Sequence, residues 1–419
     1  MTMSARITDD WLVAPSLQAV FAALETGDDR VRVVGGAVRN TLLGLPVTDI
    51  DLSTTAEPSV VMARAKAHGL KPVPTGFDHG TVTIVSDGVP YEVTTLREDV
   101  ETHGRSATVR FGRNWQHDAE RRDFTMNALY ADRDGTVFDP VGGLPDLKAR
   151  HVRFIGDASR RIAEDYLRIL RFFRFHAQYG VGELNAEGLR AVTEARAGLS
   201  HLSAERIGME LRKLVSAPGA ADTVEVMHDA GILQYVLATP AGTKPFRALR
   251  ALDAVAAESR DPALCLAILS DGGTRELQQL ADHLRLSNAE RKRMIASLEA
   301  GRAIRARLEA GERGVLDELG LAELLYRHGR ALAVDGLLYA WAEVDAGPED
   351  AGFLRALERL RVMPLPVLPV SGADLIAAGA RPGPDLGRRL KQAESLWLAS
   401  GFRKDRVALI AESAERTGD

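Results

Sequence analysis

The chain has 419 residues, 45% hydrophobic and 26% charged, with 53 basic against 58 acidic side chains and a net charge of −5. It is too apolar to be disordered, and it lacks any apolar run of the roughly 18 residues needed to span a bilayer. Its single cysteine excludes a disulfide framework and a thiolate zinc cluster, and the mild acidity argues against a blanket electrostatic grip on nucleic acid. At roughly 100–200 residues per domain, two to four domains are expected. Asp9 and Asp10 stand where a secretory leader needs basic residues, so a reducing, cytoplasmic location with no membrane partner is the expectation.

In chain order, the first 150 residues alternate short β-rich runs with turn signals. Arg32-Val33-Val34 reads as a strand entering Gly35-Gly36, and a helix over 37–43 closes at Gly44. A second strand is predicted over 49–53. The helix over 58–68 carries proline just inside its start and Gly69 just past its end. Strands at 81–85 and 89–95 flank Asp87-Gly88, a type I′ hairpin signal, and Asp134-Gly135 likewise separates 128–131 from 136–138. Residues 97–113, with Gly104, Gly112 and mixed charges, read as a mobile loop. After about Gly156 the strand signals vanish, and Ala, Leu, Arg and Glu recur at helical spacing. Ser287-Asn288-Ala289-Glu290 forms a capping box, and the proline-rich run 363–369 sets off a last helical unit. The fold class is α+β: a mixed-sheet N-terminal part followed by an all-helical remainder.

Three features carry chemistry. Within a strand, Asp49 and Asp51 share one face while Ile50 points to the other. Two such carboxylates repel unless a cation lies between them, and hard oxygen ligands suit Mg²⁺. The same tripeptide also fits a surface turn. Gly35-Gly36, between a strand and a helix with Arg39 one turn in, offers a close backbone approach and free amides for phosphate, or simply a tight turn. Glu92 sits in a strand interior, where glutamate is disfavoured. It is either a third metal ligand or part of a solvated face.

Val34-Gly35-Gly36-Ala37-Val38-Arg39-Asn40, Asp49-Ile50-Asp51 and Arg121-Arg122-Asp123-Phe124-Thr125-Met126-Asn127-Ala128 together resemble the class II tRNA nucleotidyltransferases. These are the CCA-adding enzymes and related bacterial poly(A) polymerases of the polymerase-β-like superfamily. The resemblance continues through Phe138-Asp139-Pro140, the Glu164–Arg171 segment and Ser203-Ala204-Glu205-Arg206-Ile207 with Glu210. It implies a nucleotidyltransferase head (1–150), a helical neck with a nucleotide-selecting helix (151–220), a helical body (221–362) and a helical tail (363–419), elongated overall. It also implies a two-metal Mg²⁺ site on Asp49, Asp51 and Glu92, with Gly36, Arg39 and Arg122 binding the nucleotide. Asp123 is expected either to brace Arg122 or to form a purely structural ion pair.

The segment from Arg160 to Arg174 reads as one helix in which arginines crowd among aromatic and aliphatic residues, so some of them must face a groove or acidic partners. Asp165 and Arg168, three apart, would be neighbours on it. A carboxylate only accepts hydrogen bonds and a guanidinium only donates. Cytosine and adenine both offer an amino donor beside a ring-nitrogen acceptor. Uracil and guanine present the opposite, so both contacts turn repulsive. The resemblance assigns this selection to Asp165 and Arg168, with Arg171 and Arg174 orienting the pair and holding phosphate. The implied partners are a tRNA 3′ end, CTP and ATP, and the implied reaction is CCA addition. A poly(A) polymerase or an A-only or C-only enzyme shares the same parts, and a catalytically silent RNA-binding protein shares the scaffold. In the tail, Arg381, Arg388, Arg389 and Lys391 read as an RNA contact or a solvated basic helix start.

Overall fold

The computed structural model describes residues 5–103, 106–344 and 346–415. It divides into two compact units that meet between Val236 and Leu237.

The first unit is built on a seven-stranded sheet in the order β3-β4-β5-β2-β1-β8-β9. Its strands are β1 (Val31–Val34), β2 (Asp51–Thr54), β3 (Lys71–Gly76), β4 (Thr81–Ser86), β5 (Val89–Thr95), β8 (Tyr130–Ala131) and β9 (Val137–Phe138). β2 and β5 run parallel and the other neighbours antiparallel, so the sheet is mixed. The β4–β5 hairpin turns on Asp87 (φ 48°) and Gly88 (φ 79°), the two positive φ values a type I′ turn needs. Val31, Val33, Val82 and Ile84 are fully buried. The Pro15–Leu24 and Pro58–Ala67 helices pack on β4 and bring Leu17, Val20, Phe21 and Val61 into this core. Each such side chain contributes about 1.5–3 kcal/mol by leaving water.

Residues 97–113 depart from the loop expected of them. β6 (Arg97–His103) pairs antiparallel with β7 (Ser106–Phe111) as a separate two-stranded ribbon, with Arg97 opposite Phe111. The two halves satisfy each other's backbone groups, which composition alone does not reveal. Gly104 lies outside the described residues.

The rest of this unit is helical. The Leu167–Tyr179 helix buries Phe172, Phe173 and Phe175. Phe175 packs 4.9 Å from Phe124, and Phe172 stacks on Phe154 at 5.4 Å. Arg171 and Arg174 flank this aromatic face, their guanidinium carbons 5.2 and 4.5 Å from the Phe175 ring centroid.

The second unit is all helical among its described residues. The Asn288–Glu309 helix starts on the expected capping box, with Ser287 and Glu290 reciprocally bonded. Replacing Ser287 with alanine should cost about 1 kcal/mol, seen as a few degrees' fall in the melting temperature of this unit. Trp341 is fully buried and stacks on Phe353 at 5.0 Å. The proline-rich run lies between the Ala351–Val362 and Gly372–Ala377 helices. Beyond it, Val370, Leu375, Ala393, Trp397 and Leu409 form their own core, against which Tyr326 packs. Arg388 and Arg389 both pair with Asp385 at the start of the Pro384–Ala399 helix.

Candidate active site

β1 ends at Val34, and the chain turns at Gly35 (φ 68°, ψ −111°) directly into the Gly36–Leu42 helix. Val34 pairs with Asp51, and Asp51 lies beside Glu92 in the parallel β2–β5 register. The glycine turn and the two carboxylates therefore converge at the middle of the sheet. Glu92 is exposed while Tyr91 and Val93 are buried, the alternation expected for β5.

The strand expected over 49–53 begins only at Asp51. On the β1 side the pairing stops at Val34, and on the β5 side the paired register likewise starts at Asp51 with Glu92, so Asp49 and Ile50 precede the strand. Asp49 Oδ2 accepts from Thr48 Oγ1 at 3.1 Å. Crowding by protein, and the like charges of Glu92 and Asp49, push the Asp51 carboxyl above the usual carboxylate range, with Arg122 opposing them. Among the described residues no three His, Cys, Asp or Glu side chains form a ready metal cage.

Asp51 and Glu92 line two cavities at once. One, of about 290 Å³, also holds Gly35, Gly36, Arg39, Arg122 and Asn127. The other, of about 440 Å³, also holds Thr48, Asp49 and Ile50.

Four arginines line the first cavity, Arg39, Arg97, Arg121 and Arg122, and two of them, Arg39 and Arg122, are held very differently. Arg39 is 6% exposed, yet its hydrogen-bond partners are neutral: Asn127 Oδ1 at 2.7 Å, Asn40 Oδ1 at 2.9 Å and Tyr179 Oη at 2.7 Å. The Tyr179 ring lies 4.1 Å from the guanidinium carbon. Burial, with Arg174 adding to it, lowers the affinity of Arg39 for its proton. An uncompensated charge of this kind favours an incoming anion. Arg122, by contrast, donates to Asp118 Oδ2 (3.1 Å), Tyr130 Oη (3.2 Å) and Ser53 Oγ (3.4 Å).

Asp123 does not brace Arg122. It accepts from Arg171 at 2.5 Å and from Asn127 at 3.1 Å, because the chain turns Asp123 toward the Leu167–Tyr179 helix. The brace is Asp118, 1% exposed, which also takes Arg121 at 2.6 Å and the Tyr130 hydroxyl at 2.8 Å. Sequence reasoning missed it, although Asp118 stands four residues before Arg122, the spacing of helical neighbours. Tyr179 gave no such signal, being distant in sequence from Arg39.

Burial alone would push the Asp118 carboxyl up, but Arg122 and Arg121 outweigh it and hold it below the usual range. Its stabilisation is thus fully present above the ordinary carboxylate pKa and is lost as pH falls through the lower folded value. Asp118→Ala should cost about 3–5 kcal/mol, since two arginines are left facing an empty buried position. Denaturant titrations at pH 7 and pH 3 check this: the gap between variant and wild type should narrow in acid.

The single helix expected from Arg160 is two helices, Ala158–Glu164 and Leu167–Tyr179. The break is at Asp165, which is extended (φ −157°, ψ 106°) and whose Oδ1 accepts from the Leu167 N–H at 3.1 Å. A side chain that competes for backbone donors opens the helix here. Asp165 Oδ2 takes Arg206 at 2.6 Å, and Arg168 takes Glu164 at 2.6 Å with the carbonyls of Arg161 and Arg121. Asp165 and Arg168 thus lie one turn apart at the start of the second helix, each with its own partner. Arg171 engages Asp123, and Arg174 engages Glu210. Acidic partners, as the crowding of arginines required, occupy this edge.

Residues 31–153 match the family model for the poly(A) polymerase head domain, and residues 183–243 match one described as a probable RNA and SrmB-binding site of polymerase A. The mitochondrial CCA tRNA nucleotidyltransferase 1 of Danio rerio is 32% identical over 401 residues, covering 91% of this chain and 86% of its own. The CCA-adding enzyme of Geobacillus stearothermophilus is 34% identical over 372 residues, 87% of each chain. This chain belongs to the CCA tRNA nucleotidyltransferase family. The crystal structure of the Bacillus stearothermophilus CCA-adding enzyme in complex with CTP superimposes with a TM-score of 0.75 at 29% identity, covering 96% of this chain and 98% of that one. The Thermotoga maritima CCA-adding enzyme complexed with tRNA shares the fold at 19% identity, with a TM-score of 0.70. As a CCA tRNA nucleotidyltransferase family member the chain is a nucleotidyltransferase, and the family generally uses a divalent metal. Among the described residues no helix is long and apolar enough to cross a membrane.

Proposed function

We propose that this enzyme adds C, C and A to the tRNA 3′ end from CTP and ATP, without a nucleic-acid template, releasing pyrophosphate. The observation that carries this reading is the shared wall: Asp51 and Glu92 stand between a cationic cavity and an acidic one. In-line attack on an α-phosphorus needs the entering hydroxyl and the leaving pyrophosphate on opposite sides of the reacting centre, and two cavities sharing these carboxylates support that reading. Arg39, with neutral partners, and Arg122, held by Asp118, receive the triphosphate beside Gly36.

The donors that would hold metal are Asp49, Asp51 and Glu92, and the under-neutralised Asp51 carboxyl fits that role. We take the ion to be Mg²⁺ in a two-metal site, since Mg²⁺ keeps waters and substrate phosphates as ligands and needs no closed protein cage. When bound, it lowers the pKa of the attacking hydroxyl and steadies the leaving oxygens.

Asp165 and Arg168 read the base edge, one accepting from the amino group and the other donating to the ring nitrogen. Arg171 and Arg174, tied to Asp123 and Glu210, keep that helix in place. We divide the chain into head (1–150), neck (151–220), body (221–362) and tail (363–419), the last touching RNA. A reducing cytoplasm suits a chain whose one cysteine, Cys265, is buried.

The test uses tRNA transcripts ending before CCA, after the first C and after CC, each with Mg²⁺ and single nucleotides. Ordered addition of C, C and A followed by termination is expected. Open-ended addition of A overturns the reading in favour of poly(A) synthesis.

A further inference from the structure

We propose that Gly198 is a seat for the Tyr166 ring and that the two together set the position of Asp165, making them positioning residues for nucleotide choice. The proposal rests on the reading of Asp165 and Arg168 as the base-facing pair.

Tyr166 is the residue at which the chain, extended at Asp165, re-enters helix (φ −60°, ψ −15°). Its ring lies directly over Gly198, in the 3₁₀ turn Arg196–His201, with the His201 ring centroid 6.1 Å away. A Cβ at position 198 would come within 2.1 Å of two ring carbons of Tyr166. Gly198 is buried and is not among the residues of positive φ. Its backbone would accept any residue, so it is the ring above it that requires glycine.

The consequence follows from how the two reading groups are tethered. The Arg168 backbone N–H bonds the Asp165 carbonyl at 3.0 Å, but its guanidinium is held by Glu164, Arg161 and Arg121, and none of those contacts involves Tyr166. Asp165 is joined to Tyr166 through one peptide plane, and its carboxylate accepts from the Leu167 N–H and Arg206. Lifting the ring therefore shifts the Asp165 carboxylate relative to a guanidinium that keeps its own three anchors. The spacing between them, on which discrimination depends, changes, while the carboxylates on the sheet are untouched. Displacements of about 1 Å at a positioning group cost up to about 100-fold in rate.

The experiment measures kcat/KM for CTP and for UTP, with KM and kcat separated, on a tRNA transcript lacking CCA, using the full chain. Gly198→Ala and Tyr166→Ala are compared with Arg168→Ala and with Gly188→Ala. The last crowds the Phe172 ring of the same helix (2.9 Å) away from Asp165 and serves as a control for strain. Gly198→Ala and Tyr166→Ala should each lower the CTP-to-UTP ratio by roughly tenfold or more, with Gly188→Ala close to wild type. Tyr166→Ala removes the ring without adding a clash, so the result does not depend on Gly198→Ala folding. A wild-type ratio in Tyr166→Ala, alongside a collapsed ratio in Arg168→Ala, overturns the seat and leaves the base-reading assignment standing. So does a fall in Gly188→Ala equal to that in Gly198→Ala. A wild-type ratio in Arg168→Ala overturns the underlying reading, and the seat with it.

Discussion

Asp51→Asn should abolish nucleotide incorporation while leaving the fold at least as stable as wild type. Asp51 sits in register with Glu92 and lines the acidic cavity together with Asp49, and its carboxyl is pushed above the usual range by crowding and by these neighbours. A folded-state pKa above the unfolded value means that the folded state prefers the protonated acid. Stability therefore declines as pH rises from the ordinary carboxylate range through the folded value. Asparagine removes that penalty. At pH 7 the variant should melt at or above the wild-type temperature, and the difference should shrink toward pH 4 as Asp51 protonates. Catalysis goes the other way, because an amide cannot supply the charge that a metal needs. Losing several kcal/mol of transition-state stabilisation corresponds to on the order of 1,000-fold or more in rate. Single-turnover incorporation and thermal melts at two pH values check both halves. Retained incorporation, or a variant that melts well below wild type at pH 7, contradicts the assignment.

Arg168→Ala is expected to relax base choice more than it lowers incorporation of CTP. The guanidinium bonds Glu164 and two backbone carbonyls, so its direction is held before any nucleotide arrives. Removing it takes away a charge-assisted donor of about 1.5–3 kcal/mol, roughly ten- to a hundredfold in discrimination. Arg168→Lys retains the charge but not the planar fork, and should be nearly as permissive if geometry matters. The ratios of kcat/KM for CTP and ATP over UTP and GTP give the measure. Unchanged ratios in both variants reject the role given to this helix.

Much of the head was legible because its signals are local. The Asp87-Gly88 hairpin, the proline-started helix at Pro58 and the Gly35-Gly36 turn each depend on residues adjacent in sequence. So does the alternation in β5 that exposes Glu92 between the buried Tyr91 and Val93. Where the reading failed, the deciding partner lay elsewhere. β2 begins at Asp51 and not Asp49, where its pairing with both β1 and β5 begins. The 97–113 segment is a ribbon because its halves find each other.

The sequence by itself determined the chemistry on offer: hard carboxylates, glycines at a strand-to-helix turn, and arginines crowded along one helical segment. It also carried the family resemblance, since motif order survives without knowledge of contacts. Only the tertiary structure decided which charge answers which. Asp118 and not Asp123 holds Arg122; Asp123 turns to Arg171; Arg39 lies buried among neutral partners; Asp165 breaks a helix and takes Arg206. The physical reason is range. Helix, strand and turn preferences act over a few residues, whereas ion pairing and burial depend on distances set by the whole fold.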